Sequence, residues 1–210
     1  MRSTVPRRSR LSSRDLALVA TFAGILAALG VFPAIAPLGI PVPITAQSLG
    51  VMLCGAVLGA RRGSAAVLLF LGLVAVGLPL LAGGRGGLGV FAGPSVGYLV
   101  GYVVAAWVVG WLTERGGAPY RLHWGLVANV VGGIVVLYAL GIPGTAWRAE
   151  VSITAATVQS GWYVVGDLAK AVVAAVVARG VHAAYPGLLT PARRGGKAGE
   201  RGRRREDSPV

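Results

Sequence analysis

The chain has 210 residues, with 20 Lys+Arg against 7 Asp+Glu, a net charge of +13 and a mean hydropathy of +0.71; 55% of it is hydrophobic and only 13% is charged. Soluble domains carry about 25% charged residues, so this balance excludes an ordinary water-soluble fold and points to lipid as the solvent. The single Cys54 excludes a disulfide framework and any multi-cysteine metal site.

Residues 1–14 hold five arginines and no acid, and read as a basic tail. Residues 15–184 form a nearly uncharged body, and 185–210 form a second basic tail, expected to be disordered. A transmembrane helix needs roughly 20 mostly apolar residues. Six stretches of the body qualify, at about 15–32, 44–60, 63–82, 91–112, 122–141 and 160–183. The expected fold is therefore all-α, a polytopic membrane protein with six transmembrane helices. With both termini in the cytoplasm, 17 of the Lys and Arg residues fall inside, the distribution that topology selection favours. The tails then serve as that signal and as contacts to anionic lipid. No aromatic or folded module accompanies them, so nucleic-acid binding is not expected.

The first span carries Ala20, Ala23, Gly24 and Ala27 at small-xxx-small spacing. Such a face lets another helix approach closely, whether a partner's or one of the chain's own. The following segment holds Pro33, Pro37, Pro41 and Pro43, which favour a stiff extended loop able to cover a site. Between the third and fourth spans, Arg85 sits in GGRGG, where missing side chains let a ligand approach the backbone. It is either a solvated loop arginine or a ligand contact.

Two enzyme patterns occur near it. GRGGLG, Gly84 to Gly89, satisfies G-x-G-x-x-G but joins two membrane spans rather than a strand and a helix, and position 109 is Val109 rather than an acid. GPSVG, Gly93 to Gly97, satisfies G-x-S-x-G, with Asp167 and His182 following in the order of some hydrolases. An intramembrane serine hydrolase is thus the enzyme alternative. On one helix, however, Asp167 and His182 would stand about 22 Å apart along the axis. There is no G-x-x-x-x-G-K-[ST] loop, so ATP hydrolysis would belong to another chain. Neither a metal nor a cofactor is expected.

The sixth span holds Asp167 and Lys170, costly inside a membrane and on one helix face at i, i+3 spacing. Two readings are open: an ion pair that lowers the mutual cost, or a pair facing a polar cavity that binds a solute. Gly166, with Trp162 and Tyr163 as interfacial aromatics, reads as the end of a non-helical approach. The helix would then begin near residue 164, with Asp167 in its first turn, where the helix dipole favours a carboxylate. If Arg85, Lys170 and Asp167 line one cavity, its net charge is +1, which suits a small monocarboxylate with a polar end.

Three segments resemble one known family: PVPITAQSLGVMLCGAVLG (Pro41 to Gly59), GGRGGLGVFAGPSVGYLVGY (Gly83 to Tyr102) and GDLAKAVVAAVVAR (Gly166 to Arg179), with VLYALGIP (Val136 to Pro143) as a fourth. The chain resembles BioY, the biotin-specific substrate-binding (S) component of energy-coupling factor transporters. The resemblance implies a multi-pass protein of the bacterial cell membrane. It would capture biotin at the outer face and couple to a transmembrane scaffold (T) protein and two ATPase subunits. It further implies that Asp167 and Lys170 belong to a GD-x-x-K binding motif, that Arg85 reaches the ligand, and that Tyr98 packs on its rings. Ala20, Ala23, Gly24 and Ala27 would face the scaffold protein. An S component for another small carboxylate vitamin is the alternative within the same class.

Overall fold

A computed structural model describes residues 12–33 and 42–188. Pro37, Pro41 and nearly all of both basic tails lie outside these. Among the described residues there is no strand, only isolated bridge residues such as Leu81 with Arg85. The helices are α1 (Ser13–Gly30), α2 (Gln47–Ala75), α3 (Val96–Gly116), α4 (Leu122–Val130), α5 (Leu137–Arg148) and α6 (Ile153–Ala184). A short 3-10 turn, Leu88–Ala92, precedes α3, and a π-helical turn, Val131–Val136, joins α4 to α5 without a break. Four helical stretches are long and apolar enough to cross a membrane: Ser13–Gly30, Gln47–Ala75, Val96–Gly116 and Leu122–Arg148.

Local chemistry sets the boundaries. Ser12 and Asp15 form a reciprocal capping box at the start of α1: Asp15 N donates to Ser12 Oγ at 3.2 Å and Ser12 N to Asp15 Oδ2 at 3.0 Å. The second and third expected spans are one 29-residue element, α2, bent at Gly59, whose φ of 81° lies in the region that favours glycine. The bend folds α2 into two arms. A Cβ on Gly63 would stand 2.5 Å from the Cys54 carbonyl oxygen, whereas a straight helix would separate those residues by about 13 Å. The backbone groups freed there find partners. Ala60 N donates to Glu114 Oε1 at 2.9 Å, and Arg62 Nε donates to Leu58 O at 3.1 Å. Arg61 and Arg62 therefore continue the element rather than form an open loop.

The sixth helix departs from expectation at its start. Ser152 caps it, accepting from Ala155 N at 3.1 Å, and helix continues unbroken through Trp162, Tyr163 and Gly166. Asp167 is therefore deep inside α6, and the helix dipole does not stabilise it. Polarity is also inverted relative to a soluble fold. Gln47, Asn129 and Asp167 are buried, while Val172, Val173, Val176 and Val177 on α6 and Val100 and Val104 on α3 face outward. That pattern suits hydrocarbon surroundings, where exposed apolar side chains cost nothing and polar groups must be satisfied internally.

Candidate ligand-binding site

Because α6 starts early, Ser160, Tyr163, Asp167 and Lys170 fall on one face of a continuous helix at spacings of three and four. That face meets the segment 42–48, the loop 81–85 and the start of α3. Between them lies a cavity of about 540 Å³, open mouth included. Arg85, Tyr98, Asp167 and Lys170 all line it, so the structure brings together the four residues singled out as ligand contacts.

Asp167 is held by three donors. Ser48 Oγ at 2.9 Å and Lys170 Nζ at 2.9 Å both donate to Oδ1, and Tyr138 OH donates to Oδ2 at 2.8 Å. Lys170 Nζ also donates to Thr45 O at 2.7 Å and Ser48 Oγ at 3.0 Å, which uses its three protons. The pair is thus neutral and well bonded, and Asp167 Oδ2, with a single donor, keeps capacity for another N–H. The two residues form an ion pair, and the same pair lines the cavity.

Tyr138 reaches Asp167 from α5, two residues beyond the π-helical turn. The wider turn rotates the following residues onto a new face. Tyr98, Tyr138 and Tyr163 then meet edge to face, with ring centroids 6.2–6.4 Å apart. Tyr98 OH and Ser160 Oγ are 3.0 Å apart, and Tyr163 OH donates to Val42 O at 2.6 Å. Tyr163 is buried in the site rather than lying at an interface, and Trp162 beside it faces outward.

Arg85 stands in a hairpin-like loop closed by Leu81 N to Arg85 O at 3.0 Å and Arg85 N to Leu81 O at 3.2 Å. Gly83 and Gly84 supply the positive φ values that the turn needs. Its guanidinium donates to Ala82 O at 3.2 Å and to Ser95 Oγ at 3.5 Å. Asp15 pairs with Arg62 and Asp167 with Lys170, and among the described residues Arg85 has no carboxylate partner. The cavity therefore carries one uncompensated positive charge.

The hydrolase geometry is not assembled. Ser95 bonds to Arg85, Asp167 to Ser48, Lys170 and Tyr138, and His182 Nε2 to Ala56 O at 2.9 Å. The small residues of α1 are split between two faces. Ala20 and Gly24 face outward, with open space where a Gly24 Cβ would be, whereas Ala23 is buried in the chain's own core and Ala27 is half-buried against it. Thr45, Gln47, Ser48 and Tyr138 were not singled out from the sequence. The first three lie in PVPITAQS and the last in VLYALGIP, so resemblance marked their segments without marking their roles.

The BioY family model matches residues 3–187. The biotin transporter BioY of Rhizobium etli is 53% identical over 189 residues, 87% of this chain and 100% of the relative. The biotin transporter BioY of Rhodobacter capsulatus is 49% identical, covering 84% of this chain and 97% of its own. Among solved structures, the S-component for biotin from an ECF-type ABC transporter superposes with a TM-score of 0.76 at 26% identity, over 81% of this chain and 91% of that one.

Proposed function

The chain belongs to the BioY family, and from that premise we propose that it is the biotin-capturing component of an uptake transporter. It is a transport component and not an enzyme: its relatives are biotin transporters, and the serine, histidine and acid of the hydrolase pattern bond to other partners. The observation that carries the site assignment is the unpaired Arg85 facing a neutral Asp167–Lys170 pair across one cavity. Biotin has one carboxylate and a ureido group with two N–H donors. Its carboxylate would neutralise Arg85, and a ureido N–H would take the spare capacity of Asp167 Oδ2. Lys170 acts by pairing with Asp167 and fixing its orientation. Tyr98 and Tyr163 form an aromatic wall for the ring system.

Six crossings follow if the two arms of α2 count as two and α6 as the last. Both termini, the α2 bend and the α3–α4 loop then face the cytoplasm, and the cavity opens outward. The inside count of Lys and Arg supports this orientation in a bacterial cytoplasmic membrane. ATP hydrolysis would come from two partner ATPases through a scaffold protein. The outward face of α1 at Ala20 and Gly24 is the surface open to that scaffold, while Ala23 serves the chain's own core.

The test is equilibrium binding of labelled biotin to the purified protein in detergent. Saturable 1:1 binding that excess thiamine or riboflavin leaves intact is expected. Displacement by another vitamin would transfer the assignment to that carboxylate or ring. Absence of binding by well-folded protein would end the biotin reading.

A further inference from the structure

Gln47 lines the same cavity but spends its side chain on backbone. It is 2% exposed, and its amide reaches three main-chain groups on two other segments. Nε2 donates to Leu80 O at 3.0 Å and, more weakly, to Leu26 O at 3.4 Å, while Oε1 accepts from Ala82 N at 3.2 Å. Leu80 and Ala82 flank Leu81, the residue whose backbone closes the turn on Arg85. Ala82 O is itself the acceptor of Arg85 Nε. Leu26 lies on α1, whose last residue, Gly30, abuts the same loop so closely that a Cβ there would collide with Leu80 O.

We propose that Gln47 is the positioning residue for Arg85, the latch that sets where the guanidinium stands in the cavity. One buried amide joins α1, the start of α2 and the arginine-bearing loop. The bonds are of donor to carbonyl and carbonyl to N–H, so neither an acid nor a hydrocarbon of the same shape satisfies both sides. Among the described residues Arg85 has no ion-pair partner, and its guanidinium bonds are to Ala82 O and Ser95 Oγ. The fixed point of the loop is therefore the amide, not the charge. Apolar replacement leaves Leu80 O and Ala82 N buried without partners, and the loop is expected to move to rehydrate them. Gln47 touches no ligand atom in this scheme. It acts on the carboxylate end of the ligand alone, and the inference rests on the assignment of that end to Arg85.

The experiment compares the affinities of biotin and biotinamide, whose carboxylate is replaced by a neutral amide. Four purified proteins are measured: wild type, Arg85→Ala, Gln47→Met and the double variant. Wild type should prefer the acid, and Arg85→Ala should lose that preference. Gln47→Met should weaken biotin by about tenfold or more, leave biotinamide nearly unchanged, and add little to Arg85→Ala in the double variant. Gly30→Ala provides a second route, since it displaces Leu80 O from the α1 side with Gln47 intact, and should show the same selective loss. It also decides the matter if Gln47→Met does not fold. Equal weakening of acid and amide by both variants, or additivity with Arg85→Ala, would overturn the latch, as would wild-type selectivity in both. If Arg85→Ala itself keeps the preference for the acid, the assignment of Arg85 fails first, and the latch with it.

Discussion

At the cavity end, Asp167 and Lys170 bond to the side chains of Ser48 and Tyr138 and to the Thr45 carbonyl, around an open cavity. At the other end, where α2 bends, polar groups also gather, but they close on backbone. Glu114 takes the amide of Ala60, Arg62 takes the carbonyl of Leu58 and pairs with Asp15 at 3.3 Å, and His182 meets the carbonyl of Ala56. Tyr120, in the loop between α3 and α4, stacks on His182 with centroids 5.0 Å apart, and burial pushes its hydroxyl up to about 12. Polar residues in this apolar chain therefore do two jobs. At the bend they mainly satisfy freed main chain, and around the cavity they also satisfy one another.

Substitutions that respect this division should sort cleanly. The largest effect is expected from Gly110→Ala on α3, because a Cβ there collides with the backbone of Gly59 and Ala60 at the bend. Recovery of monodisperse protein on size exclusion should collapse, and normal yield would show that the bend is not closed by direct backbone contact. Next comes Asp167→Ala, which should cost biotin affinity about ten- to a hundredfold, since hydrogen bonds to a charged group are among the stronger ones. Arg62→Ala, at the other end, should bind biotin within about twofold of wild type, because Arg62 does not line the cavity. Equal losses from the two would erase the distinction between the ends.

A smaller effect is expected from Glu114→Ala. It strips the Ala60 amide of its partner and should lower stability by about 1–2 kcal/mol, read as a lower melting temperature in detergent. Affinity per folded molecule should not change. The smallest belongs to Ser95→Ala, whose bond from Arg85 is at the 3.5 Å limit. Biotin binding within about twofold is expected from so long a contact. Abolition of a hydrolytic activity instead would revive the enzyme reading.

Much of this is legible in the sequence. Hydropathy marks the helical body, the cost of charge in a membrane marks Asp167 and Lys170, and the surrounding glycines mark Arg85. What escaped was neutral or conformational. Ser48 and Tyr138 reach Asp167 from 119 and 29 residues away, and neither disturbs an apolar run enough to be noticed. Gly59 is one of several glycines in its stretch, and only the positions of Glu114 and Arg62 in the fold show why the chain bends there. The start of α6 lies further back than a glycine at position 166 suggests. Lipid and packing tolerate a glycine inside a long helix, and Ser152 supplies the cap further back.

The most direct test of the central claim is a structure of the protein bound to biotin. The carboxylate should lie within hydrogen-bonding distance of the Arg85 guanidinium and a ureido N–H on Asp167 Oδ2, with the rings against Tyr98 and Tyr163. Biotin in the reverse orientation, or bound outside this cavity, would contradict it.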